Sequence, residues 1–179
     1  MSRVLLTGFM GCGKSTIGAR LATRLSVEFI DLDDRIVNLA GMTVEQIFSE
    51  QGEDAFRELE SKALMSLPYS VVCALGGGAL VRPANLAWAL RESWMVYLRV
   101  GLTELVRRLQ EDKTVRPLLQ DRDGSLLSPI QMEIRIRDLL GQREPIYNQA
   151  HQTLDLDGLT PEVTVAKCWE AYRSRNVLR

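Results

Sequence analysis

The sequence is organised around a glycine-rich stretch near its start, which reads Gly8-Phe9-Met10-Gly11-Cys12-Gly13-Lys14-Ser15-Thr16. A short apolar run precedes it and an apolar-periodic segment follows it, an order that predicts strand, loop and helix. The stretch fills every fixed position of the pattern G-x-x-x-x-G-K-[ST], whose backbone N–H groups surround a phosphate. We therefore expect a nucleoside triphosphate to bind here, and the flanking strand and helix argue against a chance match.

The chemistry of such a loop assigns roles to its residues. Lys14 would reach the β- and γ-phosphates, and the Ser15 hydroxyl would ligate Mg²⁺. The helix that begins near Lys14 points its positive end at the same anion. Cys12 occupies a variable position and is interpreted as a small filler residue. The residues expected to contact ATP in this loop are Gly11, Cys12, Gly13, Lys14, Ser15 and Thr16.

Composition excludes several classes of protein. The 179 residues suit one domain, residues 1–179, with a formal charge of −1 that argues against a nucleic-acid surface. The three cysteines lie far apart in the sequence, which indicates neither a zinc site nor a disulfide framework. The sequence enters its first strand at once and has no apolar run near 18 residues, so we expect a cytoplasmic protein without membrane contact. We also expect a monomer, although no feature of the sequence determines the oligomeric state.

Acidic residues follow the second predicted strand, Val27 to Asp31. Asp31 is the best partner for Mg²⁺, which commonly keeps several waters and uses one or two carboxylates. Asp33 could accept a hydrogen bond from a substrate hydroxyl, or act as its base. The alternative is that one of the three aspartates at positions 31, 33 and 34 only caps the following helix, with Asp34 or even Asp33 favoured for that role.

Two further motifs suit a small anionic substrate. Arg57 and Glu60 share a helix face, so Glu60 could hold the Arg57 fork toward a carboxylate, or the two could form a weak surface ion pair. Gly76, Gly77 and Gly78 follow a buried strand and would let a ligand approach the backbone, although a flexible turn is the alternative.

The later part of the chain predicts a lid and a long helix. Residues 110–128 are polar and long for a connection, and Arg116 within them could be solvated or could neutralise transferring charge. The pattern predicts a helix from Pro129 to Arg143, which ends or kinks between Arg143 and Tyr147. His151, the only histidine, lies at the entrance to a strand and is not expected to be catalytic.

Six motifs together resemble those of shikimate kinases, in order and over most of the chain. They are Gly8 to Ser15, Asp31-x-Asp33, Gly52-Glu53-x-x-Phe56-Arg57-x-x-Glu60, Leu75-Gly76-Gly77-Gly78-Ala79, Arg116-Pro117-Leu118-Leu119 and Arg143-x-x-x-Tyr147. The resemblance implies a three-layer α/β/α P-loop kinase fold with a five-stranded parallel sheet, a helical substrate-binding segment at about 32–61 and a lid at about 110–124. It also implies transfer of the ATP γ-phosphate to the 3-hydroxyl of shikimate, on the route to chorismate and the aromatic amino acids.

The resemblance also implies site roles. Asp31 would support Mg²⁺ through water, and Asp33 would contact the shikimate hydroxyls. Arg57 and Arg143 would bind the carboxylate of shikimate, and Arg116 would reach the phosphates from the lid. The glycines Gly76, Gly77 and Gly78 would approach the ring hydroxyls, and Arg108 would lie over adenine.

Two departures and two rival functions remain. The family often has an Arg-Thr pair before the lid, whereas Arg108 is followed here by Leu109, and the segment after the lid is longer than in the shortest members. A kinase of another hydroxy acid, such as gluconate, is the nearest rival, although Phe56-Arg57 with the three glycines favours shikimate. A non-catalytic nucleotide-binding regulator of the same fold is the other, and it could lose Lys14, Asp33 or Arg57, which this chain retains.

Overall fold

The computed structural model describes residues 3–112, 116–121, 125 and 127–177. Within these residues five strands form one parallel sheet in the order β2-β3-β1-β4-β5. The strands are β1 (Arg3–Thr7), β2 (Glu28–Asp31), β3 (Val71–Ala74), β4 (Ser93–Arg99) and β5 (Gln152–Asp155). The helices are α1 (Lys14–Leu25), α2 (Leu32–Ala40), α3 (Val44–Met65), α4 (Pro83–Glu92), α5 (Leu102–Glu111), α6 (Pro129–Tyr147) and α7 (Pro161–Val177), with a short 3₁₀ turn at Pro117–Leu119. The expected three-layer arrangement is confirmed.

Hydrophobic side chains cover both faces of the sheet, as a parallel sheet requires. Successive residues of β1 point to opposite faces, so Val4 and Leu6 join one buried cluster while Leu5 joins the other. The first cluster includes residues of α1, α5 and α7, and the second includes residues of α2, α3 and α4. Among the described helices, none is long and apolar enough to cross a membrane.

The register of the sheet places three loops side by side. Ala74 of β3 pairs with Leu6 of β1 and with Asp31 of β2, so these three strands end at the same level. Three segments therefore begin at one edge of the sheet: the P-loop (residues 8–15), the aspartate-rich turn (residues 31–34) and the glycine run (residues 76–78). In open α/β sheets, the carboxyl edge is where ligands bind.

Helix α3 is two helical segments joined at a kink. Its N-terminus has the predicted capping box, in which the Gln46 amide donates to Thr43 Oγ1 at 3.2 Å and the Thr43 amide donates to Gln46 Oε1 at 2.9 Å. Gly52 then has φ 84° and ψ 175°, a conformation that is essentially restricted to glycine. The kink turns the chain, so the second segment, which contains Arg57 and Glu60, takes its own direction.

Helix α6 ends at Tyr147, within the segment from Arg143 to Tyr147 where the sequence predicts its end or a kink. The helix continues through Pro145 to Tyr147. A proline removes one intrahelical hydrogen bond. Because Pro145 lies in the last turn of α6, this loss affects only the C-terminal end of the helix. The continuation keeps Arg143 and Tyr147 four residues apart on the same helix face.

Candidate active site

The P-loop has a backbone conformation with positive φ angles at its glycines. Gly8, Gly11 and Gly13 have φ values of 141°, 79° and 95°, where a Cβ would be strained. Lys14 folds back over the loop, and its Nζ donates to the carbonyl oxygens of Gly8 at 2.9 Å and Phe9 at 3.0 Å. Gly13 occupies the N-cap of α1 without a side-chain hydrogen bond from the described residues. The helix N-terminus and the lysine ammonium thus present positive charge at one place.

Ser15 and Asp31 meet beside this loop. The Ser15 hydroxyl donates to Asp31 Oδ2 at 2.7 Å, while Asp31 Oδ1 accepts from the Asp33 amide at 3.1 Å. Asp31 is therefore the N-cap of α2, so the prediction that one of the three aspartates caps this helix is confirmed, although the cap is neither Asp34 nor Asp33. The cap fixes the Asp31 carboxylate with one oxygen toward Ser15. It also leaves the Asp33 side chain free of capping and directed toward the glycine run.

Arg57 lies between two carboxylates. Its Nη1 donates to Glu60 Oε2 at 2.9 Å, and its Nε and Nη2 donate to Glu53 Oε1 at 3.3 and 3.2 Å. The Glu60 side chain is only 2% exposed, whereas that of Glu53 is 67% exposed. The pair with Glu60 is therefore not a surface ion pair. A buried carboxylate with an arginine partner restricts that arginine to few conformations.

Each glycine of the 76–78 run faces a different charged side chain. A Cβ on Gly76 would lie 2.8 Å from Asp33 Oδ1, and one on Gly77 would lie 3.0 Å from Arg143 Nη1. A Cβ on Gly78 would lie 3.1 Å from Arg57 Nη1. None of the three has the positive φ of the P-loop glycines. Their role is therefore to leave space for the side chains that gather above them.

Burial shifts the acids at this place toward their neutral forms. Burial raises the pKa of Asp33, Asp31 and Asp34 raise it further, and Lys14 and Arg57 oppose the rise. Burial likewise raises the pKa of Glu60, and the hydrogen bond from Arg57 offsets only part of the effect. A carboxyl with a raised pKa beside a lysine is a suitable acceptor for a hydroxyl proton.

Tyr147 anchors the middle of the glycine run. Its hydroxyl donates to the Gly77 carbonyl oxygen at 2.6 Å, and its ring packs on Tyr97 with centroids 5.3 Å apart. Burial raises the pKa of Tyr147 to about 12, so the phenol stays a hydrogen-bond donor at neutral pH. A Cβ on Gly77 would also lie 3.9 Å from the Gly8 carbonyl oxygen. The glycine run is thus held directly against the P-loop.

The predicted lid is described only in part, because residues 113–115 and 122–124 lie outside the described residues. Arg116 pairs with Asp112, with Nη2 and Oδ2 2.6 Å apart, and its Nε is buried without a hydrogen-bond partner among the described residues. Arg108 donates from Nε to Glu104 Oε1 at 2.7 Å. Leu109, where the family often has threonine, is buried, and a Cβ on Gly11 would lie 3.0 Å from it. The end of α5 therefore packs against the P-loop.

The structure brings the predicted residues together in two groups. One group lies at the carboxyl edge of the sheet and comprises Lys14, Ser15, Asp31, Asp33, Arg57, Arg143 and the three glycines. In the other group, Arg108 pairs with Glu104 and Arg116 pairs with Asp112. Sequence reasoning gave no role to Glu53 as a partner of Arg57, and it did not predict the hydrogen bond from Tyr147 to Gly77. The four-residue spacing of Glu53 and Arg57 was the available signal for the first. The second depends on residues 70 positions apart.

His151 lies just before β5 and contacts the backbone of β4. Its Nδ1 accepts a hydrogen bond from the Met95 amide at 3.0 Å, just before β5 begins its pairing with β4. This contact satisfies a backbone donor that would otherwise lie beyond the end of the ladder.

Comparisons with known proteins agree with this geometry. The model of the shikimate kinase family matches residues 10–173. A shikimate kinase of Salinibacter ruber is 44% identical over 163 residues, which are 90% of this chain and 80% of that protein. The structure of the Acinetobacter baumannii shikimate kinase in complex with shikimate superimposes with a TM-score of 0.85 at 32% identity, covering 98% of this chain and 94% of the other. That of the Bacteroides thetaiotaomicron shikimate kinase has a TM-score of 0.88 at 35% identity, covering 96% and 98%. The chain belongs to the shikimate kinase family.

Proposed function

We propose that this protein transfers the γ-phosphate of ATP to the 3-hydroxyl of shikimate, as an enzyme of the route to chorismate. The observation that carries the proposal is the convergence of Asp33, Arg57 and Arg143 over three glycines that abut the P-loop. This arrangement offers two guanidinium groups for a carboxylate and one carboxylate for a hydroxyl, next to a phosphate-binding loop. Shikimate has a carboxylate and ring hydroxyls in one small molecule.

The nucleotide side of the reaction rests on positioning and charge. Backbone amides from Gly11 to Thr16 would bind the phosphates, and Lys14 would exchange its carbonyl contacts for the β- and γ-phosphate oxygens. Phosphoryl transfer needs little covalent chemistry from the protein, because catalysis comes mainly from aligning the groups and stabilising charge. Arg116 would add positive charge from the lid, and Arg108 would lie beside the adenine.

The Ser15 and Asp31 pair fits Mg²⁺. A hydroxyl and a carboxylate with their oxygens 2.7 Å apart offer the hard oxygen ligands this ion prefers. Within the described residues there is no cluster of three or more His, Cys, Asp or Glu that could hold a metal, which suits an ion that retains waters and binds phosphate oxygens. When bound, Mg²⁺ would neutralise phosphate charge. Ser15 would be a direct ligand and Asp31 would act through water.

On the acceptor side, Arg57 and Arg143 would bind the carboxylate and Asp33 would receive the hydroxyl proton. Glu60 would hold Arg57 in place from below, because it is buried and bonded to Nη1. In this proposal residues 32–61 form the substrate-binding segment and residues 110–124 the lid, both within a single domain. The protein would act as a cytoplasmic monomer.

A coupled assay of ADP release tests the proposal. The parent protein is incubated with ATP and Mg²⁺ and with either shikimate or gluconate, and Lys14→Met serves as the inactive control. We expect ADP release with shikimate, a phosphorylated product by mass spectrometry, and little release with gluconate. Faster turnover of gluconate would identify a kinase of another hydroxy acid. Nucleotide binding without turnover of either acid would identify a non-catalytic regulator.

A further inference from the structure

Arg57 has two edges on which a carboxylate could form a pair of hydrogen bonds. One is the end of the fork, formed by Nη1 and Nη2, and the other is the side, formed by Nε and Nη2. Which edge an incoming carboxylate can use depends on what already lies against each.

The end of the fork faces Gly78 and is partly engaged. The position that a Cβ on Gly78 would take lies 3.1 Å from Nη1, 3.3 Å from Nη2 and 3.6 Å from Cζ. Because Cζ is the farthest of the three atoms, this position lies in front of the fork and not over its flat face. At this end, Nη1 already donates to the buried Glu60.

The side of the fork is occupied by Glu53. Oε1 of Glu53 accepts from both Nε and Nη2, at 3.3 and 3.2 Å. Glu53 is 67% exposed, while Glu60 is 2% exposed, so the two acids that bind Arg57 differ sharply in their access to water. An exposed acid can leave its partner and become solvated at low cost, whereas a buried one cannot.

We propose that Glu53 is a resident competitor for the substrate carboxylate. It holds the side edge of Arg57 when no acid is bound, and the shikimate carboxylate displaces it while Glu60 keeps the arginine in place. Glu53 thereby sets the affinity for shikimate without touching the reacting atoms. The inference deepens the proposed function and rests on it.

The chain offers a matched control in Glu58. It lies on the same helix, is 74% exposed, and pairs with Arg82 at 2.6 Å instead of with Arg57. Glu58→Gln removes the same charge from the same helix and leaves the Arg57 fork untouched. A general effect of negative charge on shikimate binding would therefore appear in both variants, and competition at the fork only in Glu53→Gln.

The test is the dissociation constant of shikimate in the nucleotide-free protein, measured by calorimetry for the parent, Glu53→Gln and Glu58→Gln. Exposed ion pairs contribute little, so we expect Glu53→Gln to bind shikimate about 2- to 5-fold more tightly and Glu58→Gln to match the parent. The carboxamide of shikimate, which has no charge to exchange for Glu53, should gain nothing from Glu53→Gln. In turnover, KM for shikimate should fall and kcat should stay within about twofold, because the contact is the same in the ground and transition states.

Several outcomes would overturn the inference. Weaker binding by Glu53→Gln would make Glu53 a residue that orients Arg57, and unchanged binding would make it a bystander. Equal gains in both glutamine variants, or an equal gain for the carboxamide, would indicate a general charge effect. A parent protein that neither binds nor phosphorylates shikimate would overturn the proposed function and this inference with it. A parent that does both, with no change in Glu53→Gln, would overturn the inference alone.

Discussion

The three glycines after β3 act through the side chains that they lack. Gly76, Gly77 and Gly78 each leave room for one charged group, namely Asp33, Arg143 and Arg57. A methyl group at any of these positions would meet a nitrogen or oxygen atom at about its contact limit. The charged groups would then shift from the positions that a small substrate requires.

Gly78→Ala tests this reading at one residue. The new Cβ would lie 3.1 Å from Arg57 Nη1, so we expect the guanidinium to move and KM for shikimate to rise about 10-fold, the effect of losing one charge-assisted hydrogen bond. Gly141→Ala is the control, because that helical glycine has nothing within 4 Å of its added Cβ. Steady-state kinetics measure both variants. An unchanged KM in Gly78→Ala would show that Arg57 does not need its observed position.

The variant Asp33→Asn tests both the proposed role of Asp33 in catalysis and its effect on the stability of the fold. If Asp33 accepts the proton of the hydroxyl, kcat should fall about 10²-fold or more, and in the parent the acid limb of kcat/KM should lie above the usual aspartate pKa near 4. A drop confined to KM would show that Asp33 orients the substrate and is not its base.

The raised pKa of Asp33 also determines whether Asp33→Asn should raise or lower the stability of the folded protein. Between the unfolded pKa and the higher folded pKa, the folded protein binds more protons, so stability falls as pH rises through this range. At pH 7, which is above the unfolded pKa, the burial of Asp33 therefore lowers stability. We expect thermal unfolding at pH 7 to give Asp33→Asn a Tm equal to or above that of the parent, and a lower Tm would contradict the burial argument.

At the scale of elements, the kink in α3 determines where the residues proposed to bind the substrate carboxylate lie. Gly52 ends one helical segment, and the next segment begins with Glu53 and carries Arg57 and Glu60 on one face. The new helix N-terminus also favours the acid at Glu53. The direction of this short helix is therefore set by a single residue with φ 84° and ψ 175°.

Gly52→Ala should disturb both stability and binding. The backbone conformation of Gly52 is essentially closed to other residues, so the substitution should lower the free energy of unfolding by about 1–3 kcal/mol. If the helix relaxes, KM for shikimate should rise while ATP affinity stays near that of the parent. Gly158→Ala is the control, since φ is 72° there and nothing lies within 4 Å. Its cost should be confined to stability, as denaturant titration and kinetics would report.

At the scale of the whole molecule, the motifs at strand ends were predictable because a parallel sheet brings the carboxyl ends of its strands to one edge. Pattern alone therefore placed Lys14, Asp31 and the glycine run together. Contacts between distant segments could not be predicted in the same way. The 2.6 Å bond from Tyr147 to Gly77 depends on packing across the molecule, and so does the burial of Glu60. A cap was predicted among the three neighbouring aspartates, but Asp31 could not be singled out because all three suit that role equally.

The proposed closure of a lid over the two substrates would involve the whole molecule, and Arg116 is its test. Arg116 pairs with Asp112 at 2.6 Å, so in this proposal it should reach the phosphates only when a nucleotide draws the lid inward. Arg116→Ala should therefore lower kcat by about 10²-fold or more, as the loss of an arginine that stabilises transferring charge does. Shikimate affinity in the nucleotide-free protein should stay within about twofold, because the residue makes no contact there. Calorimetry and initial rates measure the two quantities. An equally large loss of shikimate binding without nucleotide would place Arg116 in the substrate cleft and leave the lid without its proposed role.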